Sequence, residues 1–273
     1  VVSALVAYPW GARYLPLPTV ESRAVRELLA ELGVLQGDPA AEQPLYDERY
    51  LCATPQERVF RDGLWEEGLL PRRGVGRDER AQQQRFLARI ETLKSARGSD
   101  GRRLFAIPMA LSSRDPAWLA LDRISLRQWL LDQGFSAPTL HWLANYACRD
   151  DYGTSYDQTS AWAGLHYFAC RNGGAANAAA DTVLTAPDGN AWLVRALARR
   201  AGPRLLTGNA VWRMQEAGDA VVVDCWNEAA QRSQRIRADQ LIWAAPSFLL
   251  PRVWAAMPAP LKAAAGAVEY APW

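Results

Sequence analysis

The residues best suited to do chemistry gather between positions 149 and 168. Asp150 and Asp151 stand side by side, Tyr152 follows at once, and Trp162, His166 and Tyr167 come one short segment later. Two adjacent carboxylates could hold a cationic amine, and aromatic faces beside them would attract the same charge. His166 could move a proton near neutral pH. Each group also has a plainer role. An Asp pair at a helix end commonly finishes one helix or caps the next. A lone histidine in an aromatic helix is more often a satisfied core residue, and His141 beside Trp142 fits that role better still.

Other chemistries find no support in the sequence. It contains no G-x-S-x-G, H-E-x-x-H, P-loop or G-x-G-x-x-G pattern. Gly74-Val-Gly76 supplies only half of the last pattern, with no strand before it. Four dispersed cysteines and two histidines, His141 and His166, point to buried free thiols and no zinc site. A net charge of +2 over 273 residues leaves no electrostatic footprint for nucleic acid. Because 49% of residues are apolar and 22% charged, a folded globular chain is expected, not a disordered one. No run of about 18 apolar residues offers a membrane span. Twelve tryptophans fit either a Trp-rich core or a pocket for flat or apolar ligands.

These side chains must be positioned by a mixture of helices and strands. Residues 8–18 read as a Pro/Gly loop, after which Thr19 caps a helix that Gly33 ends. Asp62-Gly63 between two apolar runs predicts a tight hairpin, and the spacing over 78–96 predicts a long helix. Residues 112–171 read as mostly helical. Asp115-Pro116 makes a helix start there, Ser125 to Gln128 a capping box, and helices are expected from Ser136 and Ser160. Gly173 to Asn177 reads as flexible. Beyond it come a strand at 182–185, a helix after the 187–190 turn, and extended segments at 204–206, 210–215, 221–226 and 240–244. Helices at 248–256 and 261–267 close the chain. The fold class is therefore α/β in the mixed α+β sense, a βαβ-like framework interrupted by a helical block.

Three segments, in this order, resemble the flavin-containing amine oxidase and phytoene desaturase superfamily. The first is Trp10-Gly11-Ala12-Arg13-Tyr14 before a helix ending Glu31-Leu32-Gly33, similar to the family's Gly-Gly-x-aromatic loop against the isoalloxazine ring. Small residues at Gly11 and Ala12 would let backbone approach a flat ring, although Ala12 stands where the family often has a second glycine. The second segment, from Pro187 through Arg204 to Val223, is similar to a helix and hairpin whose strand backbone, here at Val211, holds the adenine. The third, Ala238 to Pro246, is similar to a buried strand reaching an Ala-x-Pro turn (Ala244, Ala245, Pro246) beside the cofactor.

The resemblance implies FAD as cofactor and a substrate domain built around the helical insertion. It divides the chain into an FAD-proximal loop and helix at 1–34, a mainly helical substrate domain at 35–178, a return to the FAD domain at 179–250, and a second substrate segment from 251 to 273. It also implies that a glycine-rich pyrophosphate unit belongs before residue 1 and a flavin-contacting segment, often with a lysine near N5, after residue 273. Both ends read as cut, so this chain alone is expected to bind FAD weakly or not at all. Cytoplasmic and periplasmic locations stay open, and the oligomeric state is not readable. The implied activity is hydride transfer from a small-molecule substrate C–H, an amine in the first reading, to flavin. The alternatives are phytoene-desaturase-like oxidation of an apolar substrate and a binding module without cofactor.

Overall fold

A computed structural model describes residues 11–52, 57–179 and 181–270. The chain divides into two compact units, one running to Ala196 and the other from Leu197 to Pro272.

In the first unit, β1 (Tyr14–Pro16) leads to α1 (Arg23–Glu31), then to the two-residue strands β2 (Leu35–Gln36) and β3 (Leu45–Tyr46). A hairpin follows, β4 (Arg58–Arg61) and β5 (Leu64–Glu67), before the long helix α2 (Arg77–Ser95). The helical block continues with α3 (Pro116–Leu119), α4 (Leu126–Asp132), α5 (Pro138–Tyr152) and α6 (Ala161–Ala169). Strand β6 (Val183–Thr185) and helix α7 (Ala191–Ala201) complete the sequence of elements up to the junction.

Several local signals act as the sequence implies. Asp62 and Gly63 have φ of 52° and 79°, the double positive turn that closes β4 on β5. Ser125 Oγ accepts from the Gln128 N–H at 3.1 Å, and Ser160 Oγ from the Ala163 N–H at 3.1 Å. Asp115 caps α3 with Pro116 in its first turn. The apolar stripe of α2 buries Phe86, Ile90 and Leu93 against Leu126, Leu130, Leu140 and Leu165.

Other expectations are corrected. The 8–18 loop contains the strand β1, because Tyr14–Pro16 pairs antiparallel with Val183–Thr185. Thr19 does not cap α1; its hydroxyl and that of Ser22 both donate to the Ile107 carbonyl, and the helix starts at Arg23. Likewise α5 starts at Pro138, since the N–H groups of Ser136 and Ala137 are already taken by Gln82 Oε1 at 2.7 and 2.9 Å. The stretch before Asn177 is pinned: Asn177 accepts from the Tyr46 N–H and donates to the Tyr46 carbonyl. There is also no parallel βαβ pairing among the described strands, since β6 runs antiparallel to β1.

The second unit is an antiparallel meander, β7 (Asn209–Ala217), β8 (Ala220–Asn227) and β9 (Arg232–Ala238), followed by α8 (Leu250–Val253) and α9 (Ala259–Gly266). The expected extension at 204–206 is shortened: Arg204 ends a 3-10 turn, Gly202–Arg204, and Leu205 is extended. The expected buried strand at 240–244 is irregular backbone, and Ile242 is 92% exposed. Its apolar pattern is strand-like, but a strand also needs a partner for its backbone groups, and none of the described residues supplies one. The helix expected at 248–256 is reduced to a 3-10 turn and α8.

No helix among the described residues is long and apolar enough to cross a membrane, and no group of possible metal ligands is found among them.

Candidate active site

A cavity of about 910 Å³ opens in the first unit along one face of α2. That volume lies in the range that takes a small molecule or cofactor fragment. Gln83, Leu87 and Ile90 line it from α2, together with Leu69, Leu143 and Phe168. Tyr14 and Tyr167 supply two further walls, together with Arg13 and Arg171.

Arg171, just beyond α6, ties these walls together. Its Nη1 donates to Tyr14 Oη at 2.7 Å, and its Nη2 donates to both carboxylate oxygens of Asp151 at 3.0 and 3.2 Å. The guanidinium carbon lies 4.2 Å from the centre of the Tyr167 ring and 5.6 Å from that of Tyr14. An arginine with one Nη on a hydroxyl, the other on a carboxylate and its guanidinium over a ring keeps few degrees of freedom. Burial raises the pKa of the Tyr167 hydroxyl, so this phenol stays neutral at ordinary pH.

The sequence-derived substrate residues are only partly brought together here. Tyr167 faces the cavity, and Asp151 reaches its edge through Arg171, whose charge it already matches. Asp150 is not on the cavity wall. Tyr152 donates its hydroxyl to the Ala163 carbonyl at 2.7 Å. Trp162 stacks on His166 with ring centres 5.2 Å apart, and its own indole N–H is buried without a partner among the described residues. His166 Nε2 donates to the Ala106 carbonyl at 2.9 Å, and burial lowers its pKa. That geometry holds a neutral imidazole inside the helical block.

Of the cofactor residues expected from the sequence, Trp10 lies outside the described residues. Gly11 and Ala12 are exposed, and the loop they begin is fixed by its carbonyls. The Ala12 carbonyl accepts from the Asn190 N–H, that of Arg13 from the Thr185 hydroxyl, and that of Tyr14 from the Asn190 side chain. The other expected residues belong to the second unit. Val211 is exposed on β7, an edge strand, opposite Cys225 and beside a bulge that shifts the register before Arg213. Ala244, Ala245 and Pro246 lie in the irregular exposed segment, where the Trp243 indole N–H donates to the Pro246 carbonyl at 3.3 Å.

Arg171, Glu57 and Asp181 are site residues that the sequence reading passed over. Arg171 carried one usable signal: it follows Tyr167 by four positions, the spacing at which a helical aromatic and a cation meet. Glu57 and Asp181 carried none, since isolated acids in loops are ordinary surface residues.

The fold is the mixed helix-and-strand fold of flavin amine oxidases, matched over 94% of the chain. Structures of putrescine oxidase are among those it matches. A double mutant from a redesign of its cofactor binding matches at TM-score 0.59 and 16% identity, and the wild type bound to putrescine at TM-score 0.59 and 14% identity. In both cases 94% of this chain is covered and 51% of the other, so the chain spans about half the length of the structures it matches. No family model and no curated protein matches the sequence.

Proposed function

We propose that this chain is part of an FAD-dependent oxidoreductase of the amine-oxidase type, which passes hydride from a small-molecule amine to flavin. One observation carries the reading. Tyr14, the last residue of the segment that resembles the flavin loop, is also a wall of the cavity and a partner of Arg171. Loop and pocket therefore share a side chain, as an enzyme that apposes cofactor and substrate requires.

The residues present fit the cofactor at the loop. Small exposed side chains at Gly11 and Ala12, on a backbone fixed by Asn190 and Thr185, leave room for a flat ring to approach. In the second unit, Val211 on its edge strand and the Ala244, Ala245 and Pro246 segment are the positions that the family resemblance assigns to the cofactor. When bound, FAD would accept the hydride, which leaves the protein to bind, orient and exclude water. Arg171 would hold Tyr14 and Tyr167 in place, and the apolar wall around Phe168 and Leu143 would keep the reacting carbon dry. Asp150, Asp151, Tyr152, Trp162 and His166 would then act behind the wall, by setting the position of Arg171 and α6.

The same apolar wall favours a second reading, oxidation of a polyene-like substrate. Anaerobic titration of the FAD-loaded parent protein with polyamines and with apolar polyenes separates the two. Bleaching of the flavin absorbance by amines alone supports the first reading, and bleaching by polyenes alone supports the second. A purified parent protein that neither holds FAD nor is bleached by either would overturn both and leave a binding module.

A further inference from the structure

The charges around the cavity are not evenly spread. Asn172, next to Arg171, donates to the Lys94 carbonyl at 2.8 Å, so the Tyr14–Arg171 end lies at the C-terminal end of α2. Arg80 lines the same cavity fourteen residues earlier on that helix. At 1.5 Å per residue the two ends are about 21 Å apart along α2.

At the Tyr14 end the cations are already matched. Arg171 is paired with Asp151, and Lys94 with Glu91 at 3.1 Å. Arg13 remains, and with Arg171 it acts on Glu57, one of two wall acids, Glu57 and Asp181, which also act on each other electrostatically. Asp150 adds further negative charge there. At the Arg80 end the balance reverses. Arg72 and Arg80 both line the cavity, and neither forms an ion pair with an acid among the described residues. Of the acids close to them in sequence, Glu66, Glu67, Asp78 and Glu79, none forms an ion pair with either side chain among the described residues. Glu66 accepts from the backbone N–H groups of Arg72 and Arg73, and Glu79 accepts from the N–H and hydroxyl of Thr139. Between the ends lie Leu69, Leu87 and Ile90, with no charge of their own.

We propose that the cavity takes a bipolar ligand: a cationic amine beside Glu57 and Asp181, an apolar span along α2, and an anionic tail, a carboxylate in the first instance, at Arg72 and Arg80. The inference rests on the amine reading above and adds the tail to it. A diamine meets repulsion at the arginine end, and a plain alkylamine leaves both arginines without an anion.

Calorimetric binding to the full chain tests this without requiring turnover. The probes are ω-aminododecanoate, dodecylamine, dodecanediamine and dodecanoate. The amino acid is expected to bind about tenfold or more tighter than either amine, one charge contact's worth. The double variant R72Q/R80Q should abolish that preference, and E57Q/D181N should weaken every amine-bearing probe while sparing dodecanoate. Melting temperatures of both variants, whose altered residues are surface side chains, check that folding is kept. Equal binding of the amino acid and the two amines, or a preference that survives R72Q/R80Q, overturns the tail while leaving the amine reading intact. Dodecanoate binding as tightly as the amino acid overturns the amine reading instead. Failure of all four probes to bind overturns the cavity as a ligand site.

Discussion

In the first unit, the helical block packs a dense core: Leu126, Leu130 and Leu165 are fully buried, and Phe86 is 2% exposed between the edges of Phe135 and Phe168. In the second unit, Met214 and Cys225 are buried on the paired strands β7 and β8, while Ile242, in the unpaired run 240–244, is 92% exposed. Both units come from stretches with clear apolar patterning. The difference is whether the pattern finds its partner. A helix satisfies its own backbone, so the block needs only side-chain packing to settle. A strand-like run such as residues 240–244 needs a neighbour's backbone as well, and without it the apolar side chains stay in water.

Breaking the helical core tests that contrast most strongly. Phe86→Ala should cost about 3–5 kcal/mol in urea unfolding, because it opens a cavity that two perpendicular rings cannot fill. A loss below about 1 kcal/mol would mean the block is far looser than its burial implies. Next in size is Gly173→Ala. A Cβ there would sit 1.9 Å from the Leu17 carbonyl oxygen, so the backbone must shift, at about 1–3 kcal/mol or more. Unchanged stability would show that the β1 region yields easily.

Arg171→Lys should cost about 1–3 kcal/mol, since Asp151 and Tyr14 lose a forked, charge-assisted donor that an ammonium cannot reproduce. The same variant should weaken any ligand bound against Tyr167, and calorimetry would read that loss. The pH dependence is a finer test. His166 is buried and its pKa lies below the ordinary 6.5, so the unfolded chain binds a proton more readily than the folded one. Stability should therefore fall as pH drops from 7 through 6.5 toward the folded value, and His166→Gln should flatten that fall in thermal melts. An identical slope in the variant would remove His166 as its source. The smallest effect belongs to the other unit: Ile242→Thr should change stability by no more than about 0.5 kcal/mol, as at any solvated position. A larger loss would show that the exposed segment is packed in solution.

What could be read from the sequence follows the same division. The hairpin at Asp62-Gly63, the caps at Ser125 and Ser160, the stripe of α2 and the mixed fold class all depend on residues within a few positions of one another. The pairing of Tyr14–Pro16 with Val183–Thr185 does not, and neither does the knot at Arg171, whose partners at Tyr14 and Asp151 are 157 and 20 positions away. Strand β9 escaped notice because Arg232–Ala238 is an edge strand with almost no apolar pattern. The 240–244 run misled in the opposite sense, since it has the pattern without the ladder. The charge asymmetry of the cavity was invisible as well: Arg72, Arg80, Glu57 and Asp181 are four ordinary surface letters until the fold brings them round one space.

The β1–β6 pairing has one more consequence. The chain leaves the Gly11–Tyr14 loop, builds the whole helical block, and returns to within hydrogen-bond distance of its point of departure at Thr185 and Asn190. The block thus hangs from a doorway whose two posts hold each other. Doubling the length of chain between such posts adds only about 0.6 kcal/mol of closure cost. Evolution could lengthen, shorten or re-line the room behind that doorway, and so change what fits inside, while the threshold where chemistry would occur stayed as it was.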